Sequence, residues 1–333
     1  MAHSIKIAVL GADEPLAATL FKELEERNLP IGQILALTLG EAEANASFNG
    51  EEIPCQPAAG FDWTQADLLV VTTRGRAARR FVDEALVAGR SVLALGEPLV
   101  QHPQAAWLDP DHPQFPQGKL WLVPDATASL IARVLRPLAA SLGVERVDAF
   151  ASLAVSAMGQ AGIDELHEQI SQLFSLGSIE TGVFPLQIAF NLIPQVGDLL
   201  PDGLSQAEQG AQQALQNLLG SDAPHCQISM TWAPVFYGHG IALHLTGGAG
   251  LSIENVRTRL QNAPGVVLMD EHLPGGYPTP ATDAAESGDA FVGRLRASSA
   301  GSDKLVQLWL VGDNVRIEAM NLAQIMERLV EKQ

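Results

Sequence analysis

Ile5-Lys6-Ile7-Ala8-Val9-Leu10-Gly11-Ala12-Asp13-Glu14-Pro15-Leu16-Ala17 is the stretch that decides the fold. An apolar run of strand length meets a glycine turn, and a proline then opens apolar residues at helical spacing, which is how a βαβ unit begins. The pattern predicts a strand over Ile5–Leu10 and a helix over Pro15–Arg27. Moving outward, strands at Gln33–Leu39, Asp67–Thr72, Ser91–Leu95 and Leu120–Val123 alternate with a helix over Ala77–Ala88. Such alternation implies an α/β fold, a Rossmann-like doubly wound parallel sheet.

Past a helix beginning near Thr127 the pattern changes. Longer strands around Arg146–Val155, Gln227–Val235, Ile241–Thr246, Ala290–Ser298 and Lys304–Val311 outnumber the helices, as in an α+β domain. The apolar Phe184–Pro194 reads as a core strand, and Pro274–Pro280 as an ordered loop. Ile317, Met320, Ala323, Met326 and Val330 share one face of a last helix that docks on a larger body. The expected domains are therefore 1–126 with the C-terminal helix 314–333, nucleotide-binding-like, and 127–313, the α+β part.

A chain of 333 residues with 47% hydrophobic content can bury two such cores. With 38 acidic against 20 basic residues and a net charge of −18, nucleic acid and anionic membranes are poor partners. No apolar stretch reaches the ~20 residues that span a bilayer, and the first residues lack signal-peptide order. Cys55 and Cys226 are the only cysteines, too few for a disulfide framework or a cysteine metal site. These features point to the cytoplasm. One disulfide bridge stays open, though both thiols read best as packing residues.

The turn after Leu10 is where a dinucleotide-binding protein places its glycines. Gly11 is present and Ala17 is a tolerated variant, but the middle glycine is Glu14, which a pyrophosphate would meet at close range. Gly11, Asp13, Glu14 and Leu16 are thus the candidate cofactor contacts. The alternative is that Asp13 and Glu14, ahead of Pro15, cap the helix and supply its anion themselves.

Further along, Val123-Pro124-Asp125-Ala126-Thr127-Ala128-Ser129 with Leu135-Arg136-Pro137-Leu138 resembles the Asn-Pro-Asn-Cys-Ser-Thr segment and Leu-Lys-Pro-Leu helix of aspartate-semialdehyde dehydrogenases. Ala154–Gly162 is similar to that family's Ala-Val-Ser-Gly-Ala-Gly stretch, and Ile188–Gln195 to its Asn-x-Ile-Pro segment. Pro234–His239 is similar to its Pro-Val-x-x-Gly-His motif; Tyr277–Pro280, Val292–Arg296 and Asp313-Asn314 follow in the family's order. The resemblance spans nearly the whole chain, and is greatest to the usg-type homologues that lack key catalytic residues.

The resemblance implies a mechanism in which a thiolate attacks an aldehyde, hydride passes to NADP, and phosphate releases the acyl group. It also implies a homodimer built through the second domain. Ala126 falls on the nucleophile position, and a methyl group has no lone pair to offer. Thr127 and Ser129 are unactivated neighbours. His239 falls on the acid–base position, either as a retained site residue or as a structural histidine. Trp232 stands where the family's arginine grips a substrate carboxylate, a contact no indole can make. The family's Glu-x-x-x-Lys-type helix becomes the glutamine-rich Gln206–Gln216, without lysine or arginine. Its 2′-phosphate turn becomes Thr38–Glu43, which is acidic, its Asp-Asn-Ser turn becomes Leu95–Leu99, and Asn321 and Gln324 keep two polar positions on the last helix.

Two clusters lie outside the resemblance. Arg74, Arg76, Arg79 and Arg80 follow a parallel strand, either as an anion site or as a solvated helix start. His102, Asp109, Asp111 and His112 read as a surface loop, with no metal expected. The expectation is a dimeric binding or regulatory member of the family that is inactive or altered, with an unknown small-molecule ligand. The alternative is an active NADP-dependent aldehyde oxidoreductase with a changed substrate.

Overall fold

The computed structural model describes residues 5–40, 44–96, 99–112, 114–115, 119–300 and 303–331. The chain forms two compact units, Met1–Pro124 with Glu318–Gln333, and Asp125–Ile317.

In the first unit, β1 (Ile5–Leu10), α1 (Pro15–Glu26) and β2 (Ile31–Thr38) are followed by a small hairpin, β3 (Asn45–Phe48) and β4 (Glu51–Pro54). The hairpin turns on Asn49-Gly50, both at positive φ, the pair such a tight turn favours. Then come β5 (Gln56–Pro57), β6 (Leu68–Val71), α2 (Ala77–Val87), β7 (Ser91–Leu95), β8 (Ala105–Trp107) and β9 (Leu120–Val123). The main sheet runs β5-β2-β1-β6-β7-β9-β8 with every pairing parallel. Strands β6 and β9 are buried along their whole length because helices cover both faces of such a sheet. The strand order reverses between β1 and β6, and the crevice outside their carboxyl ends is where a doubly wound sheet takes a ligand.

The second unit opens with α3 (Ala126–Leu135) and α4 (Ala139–Leu142) and continues through β10 (Val144–Leu153), α5 (Gly159–Phe174), α6 (Gln206–Leu219), β11 (His225–Trp232) and β12 (His239–Gly247). It ends with α7 (Ile253–Gln261), β13 (Val266–Leu268), β14 (Ala290–Ala300), β15 (Asp303–Gly312) and the start of α8 (Asn314–Glu331). Its mixed sheet has the order β11-β10-β12-β15-β14-β13. From Glu318 onward α8 belongs to the first unit.

Phe184–Pro194 is not the core strand its composition suggests. It is an irregular segment whose ladder-like contact, among the described residues, is a bridge between Ile193 and Trp232. Phe184, Ile188, Ala189 and Ile193 are buried, so the apolar content does serve a core. The backbone is satisfied from α5 instead of a neighbouring strand. The Glu165 carboxylate accepts the amides of Gly182 at 3.1 Å, Val183 at 2.6 Å and Phe184 at 3.2 Å. Gln169 Oε1 accepts those of Ile188 at 2.8 Å and Ala189 at 3.1 Å. With Pro185 and Pro194 unable to donate, side-chain acceptors replace a sheet ladder.

Candidate functional site

The segment Val123-Pro124-Asp125-Ala126 carries the chain from β9 into α3. Asp125 has extended backbone and its carboxylate accepts the Ala128 amide at 2.7 Å, which makes it the N-cap. Ala126 is the first helical residue and is fully buried. A thiol here would gain nucleophilicity from the positive helix end. The chain presents a methyl group at this position, and beside it the acceptor-only carboxylate of Asp125.

His239 opens β12 and is 2% exposed. The Ala154 amide donates to its Nδ1 at 3.1 Å. The preceding Gly238 has φ +85°, and a Cβ there would stand 3.1 Å from Pro280, so only glycine fits without strain. Its amide donates to Asn314 Oδ1 at 3.1 Å, and the fully buried Asn314 side chain also meets the Ser156 hydroxyl. The amides of Val155 and Ser156 donate to the carbonyls of Val235 and Phe236. Ala154-Val155-Ser156, Gly238-His239 and Asp313-Asn314, matched separately as sequence motifs, are one hydrogen-bonded knot around the histidine.

Trp232 ends β11 and is 5% exposed. Its ring meets Phe184 edge-on at 5.3 Å, and its backbone exchanges hydrogen bonds with Ile193. The position is core. On α6, Glu208 forms a capping box with Ser205 and accepts the Met230 amide at 2.9 Å, so its charge is used in holding the helix to β11.

Both cysteines are free thiols. Burial, followed by the nearby Asp13 carboxylate, pushes the Cys55 thiol up. Burial, followed by Asp148, pushes the Cys226 thiol to about 11. Both shifts favour the neutral thiol over the reactive thiolate.

In the first unit the glycine turn is tied up internally. The amides of Gly11 and Ala12 both donate to the Leu37 carbonyl, and the Glu14 amide to the Gly11 carbonyl. Gly11 has φ +86°, and a Cβ would meet Thr73 Cβ at 2.8 Å, so this glycine is required by the close approach of β1 and the segment after β6. The expected side-chain capping by Asp13 and Glu14 is corrected here. Glu14 is the N-cap residue but makes no side-chain cap bond, and the Asp13 carboxylate accepts the Thr38 hydroxyl at 2.9 Å instead. Pro15 removes the first helical N–H, while Leu16, 8% exposed, packs into the core. Asn321 is buried on α8. Glu41 and Glu43 of the acidic turn, and Glu97-Pro98, lie outside the described residues. A dinucleotide pyrophosphate needs a side-chain-free approach to this turn; with the Gly11 and Ala12 amides given to Leu37 and the carboxylates of Asp13 and Glu14 on the turn itself, the residues present do not fit NADP.

Arg74 is no solvated helix start. Its guanidinium pairs with Glu318 of α8, the side chains being 17% and 4% exposed. Arg76, Arg79 and Arg80 are exposed, with Arg80 paired to Glu84. His102 bonds to Asp83 at 3.1 Å and Asp109 accepts the Asp111 amide, and no metal-binding cluster occurs among the described residues. No helix of the described residues is long and apolar enough to cross a membrane.

A parallel doubly wound unit followed by a mixed-sheet unit that contains both the histidine knot and the capped start of α3 defines a semialdehyde-dehydrogenase type of architecture. Residues 135–317 match the family model described as "Semialdehyde dehydrogenase, dimerisation domain". The chain is 30% identical to a USG-1 protein homolog of Azotobacter vinelandii, over 100% of this chain and 99% of that one. It is 29% identical to an aspartate-semialdehyde dehydrogenase of Shewanella violacea, over 99% of each. Among solved structures, a probable aspartate-semialdehyde dehydrogenase from Pseudomonas aeruginosa superposes with a TM-score of 0.86 at 28% identity, covering 99% of both chains. The chain belongs to the aspartate-semialdehyde dehydrogenase family.

Sequence reasoning did not find Asp125 as a charge at the helix start, the Ser156–Asn314 knot, or the Arg74–Glu318 pair. For the last no spacing rule exists, since the partners are 244 residues apart.

Proposed function

We propose that this chain is a non-catalytic, dimeric member of its family that works in the cytoplasm as a binding or regulatory protein. The observation that carries the reading is Ala126, buried at the first position of α3 where the resemblance calls for the thiol. Asp125 supports it, because a carboxylate there opposes the oxyanion that acyl transfer develops. So do Trp232, built into the core, and the glycine turn that spends its own amides. The first unit is taken as a nucleotide-binding-like frame and the second as the dimerisation unit. Phe174, Leu176, Leu186, Phe190, Leu192 and Leu199 are exposed apolar side chains within the residues that match the dimerisation model, which supports a homodimer.

A second reading, an active NADP-dependent aldehyde oxidoreductase with a non-acidic substrate, draws on the held orientation of His239. Two measurements separate the readings. Thermal shift with NADP and with NAD is expected to leave the melting temperature of the parent unchanged. Ala126→Cys, assayed beside the parent for phosphate-dependent turnover of aspartate semialdehyde, is expected to stay silent because the surrounding contacts have changed too. Turnover by the parent sinks the proposal; turnover by the variant alone confines the loss to one sulfur. Sedimentation is expected to show a dimer, and a monomer removes that part.

A further inference from the structure

The crevice at the point where the sheet of the first unit reverses holds an internal ion pair. Thr72-Thr73-Arg74 leave β6 directly against Gly11, close enough that a Cβ on Gly11 would meet Thr73. Arg74 therefore emerges at the carboxyl ends of β1 and β6, where sheets of this topology take their ligands. Its partner comes from far along the chain. Glu318, 3% exposed, reaches it from α8. A carboxylate that deeply buried persists only with a cation and hydrogen bonds to compensate its lost hydration.

We propose that Glu318 is a resident anion, and that a phosphorylated small molecule enters this crevice by exchanging for the Glu318 carboxylate on Arg74. A planar guanidinium forks onto phosphate as well as onto carboxylate, and a doubly charged phosphate group competes for it with more charge than a single carboxylate. Arg76 and Arg79, exposed just after Arg74, add positive charge close to it in an otherwise acidic protein. The exchange differs from dinucleotide binding in the ordinary mode, because the glycine-turn amides are engaged with Leu37 and Gly11 and the arginine carries the anion. Once a phosphate displaces Glu318, α8 loses its Arg74 contact with the segment after β6.

The probe is inorganic pyrophosphate, titrated calorimetrically into the full chain. Glu318→Gln is expected to bind it about tenfold more tightly than the parent, since the competing anion is gone. The neutral pair Arg74→Met/Glu318→Leu is expected to show no binding, and added salt to weaken it in Glu318→Gln. Equal affinity in parent and Glu318→Gln, or binding that survives in the double variant, overturns the proposal. Should Glu318→Gln fail to fold, hydrogen exchange of the parent decides: saturating pyrophosphate is expected to speed exchange in α8 around Glu318, and unchanged exchange overturns the proposal. Aldehyde turnover would sink the non-catalytic reading above and leave this outcome untouched.

Discussion

The backbone amide of Ala154 donates to Nδ1 of His239 at 3.1 Å. An amide nitrogen only donates, so Nδ1 is the unprotonated nitrogen, and the neutral ring carries its proton on Nε2. In that tautomer the imidazole presents a donor. The Gly238–Asn314 and Ser156–Asn314 hydrogen bonds leave the loop little freedom to turn the ring over.

Nitrogen NMR of the histidine-labelled chain checks this directly. For His239 at neutral pH, a pyridine-type Nδ1 and a pyrrole-type Nε2 are expected. The opposite assignment would remove the Ala154 contact from the account and return the ring to the role of a base.

Asn314 should matter to stability beyond its size. Asn314→Ala strands the Gly238 amide and the Ser156 hydroxyl in a buried place, at about 1–3 kcal/mol for each group left without a partner. Urea denaturation is expected to show a loss of that order, and Ser156→Ala a smaller one. A loss under about 0.5 kcal/mol for Asn314→Ala would mean that the knot is not what holds the motif together.

How the histidine is held was only partly legible in the sequence. The strands β1, β6, β7 and β9 are readable because buried parallel strands are near-continuous apolar runs, broken here only by Lys6 in β1 and Ser91 at the start of β7. The motifs around Ser156, His239 and Asn314 were readable as strings, but their convergence was not, since it joins positions 158 residues apart. Phe184–Pro194 misled because burial alone does not make a strand. Its backbone partners are the side chains of Glu165 and Gln169 on another element, and no local pattern announces them. The β3–β4 hairpin carries an Asn49-Gly50 turn, but the four-residue strands that flank it are too short and polar to mark themselves by apolar alternation.

The thiols give a pH test. Burial holds Cys226 protonated to about 11, above the ordinary thiol value of 9.0, so folding favours the neutral thiol. The stability this contributes is fully present below the ordinary value and is lost as pH climbs from there through 11. Aryl-disulfide titration at pH ~8 is expected to be slow in the folded chain and to count both thiols once it is unfolded. Replacing Cys226 by alanine is expected to flatten the fall in melting temperature between pH 9 and pH 11. Prompt native reactivity of Cys226 would contradict its burial and readmit it as a nucleophile.

The proposed loss of catalysis rests on three positions together, Ala126 buried at the start of α3, Asp125 capping that helix and Trp232 packed in the core. Its most direct test is the initial rate of NADP reduction by the unaltered protein, with aspartate semialdehyde and phosphate both saturating. A rate indistinguishable from the protein-free control is expected. A phosphate-dependent rate that scales with protein concentration and is lost in His239→Ala would contradict it.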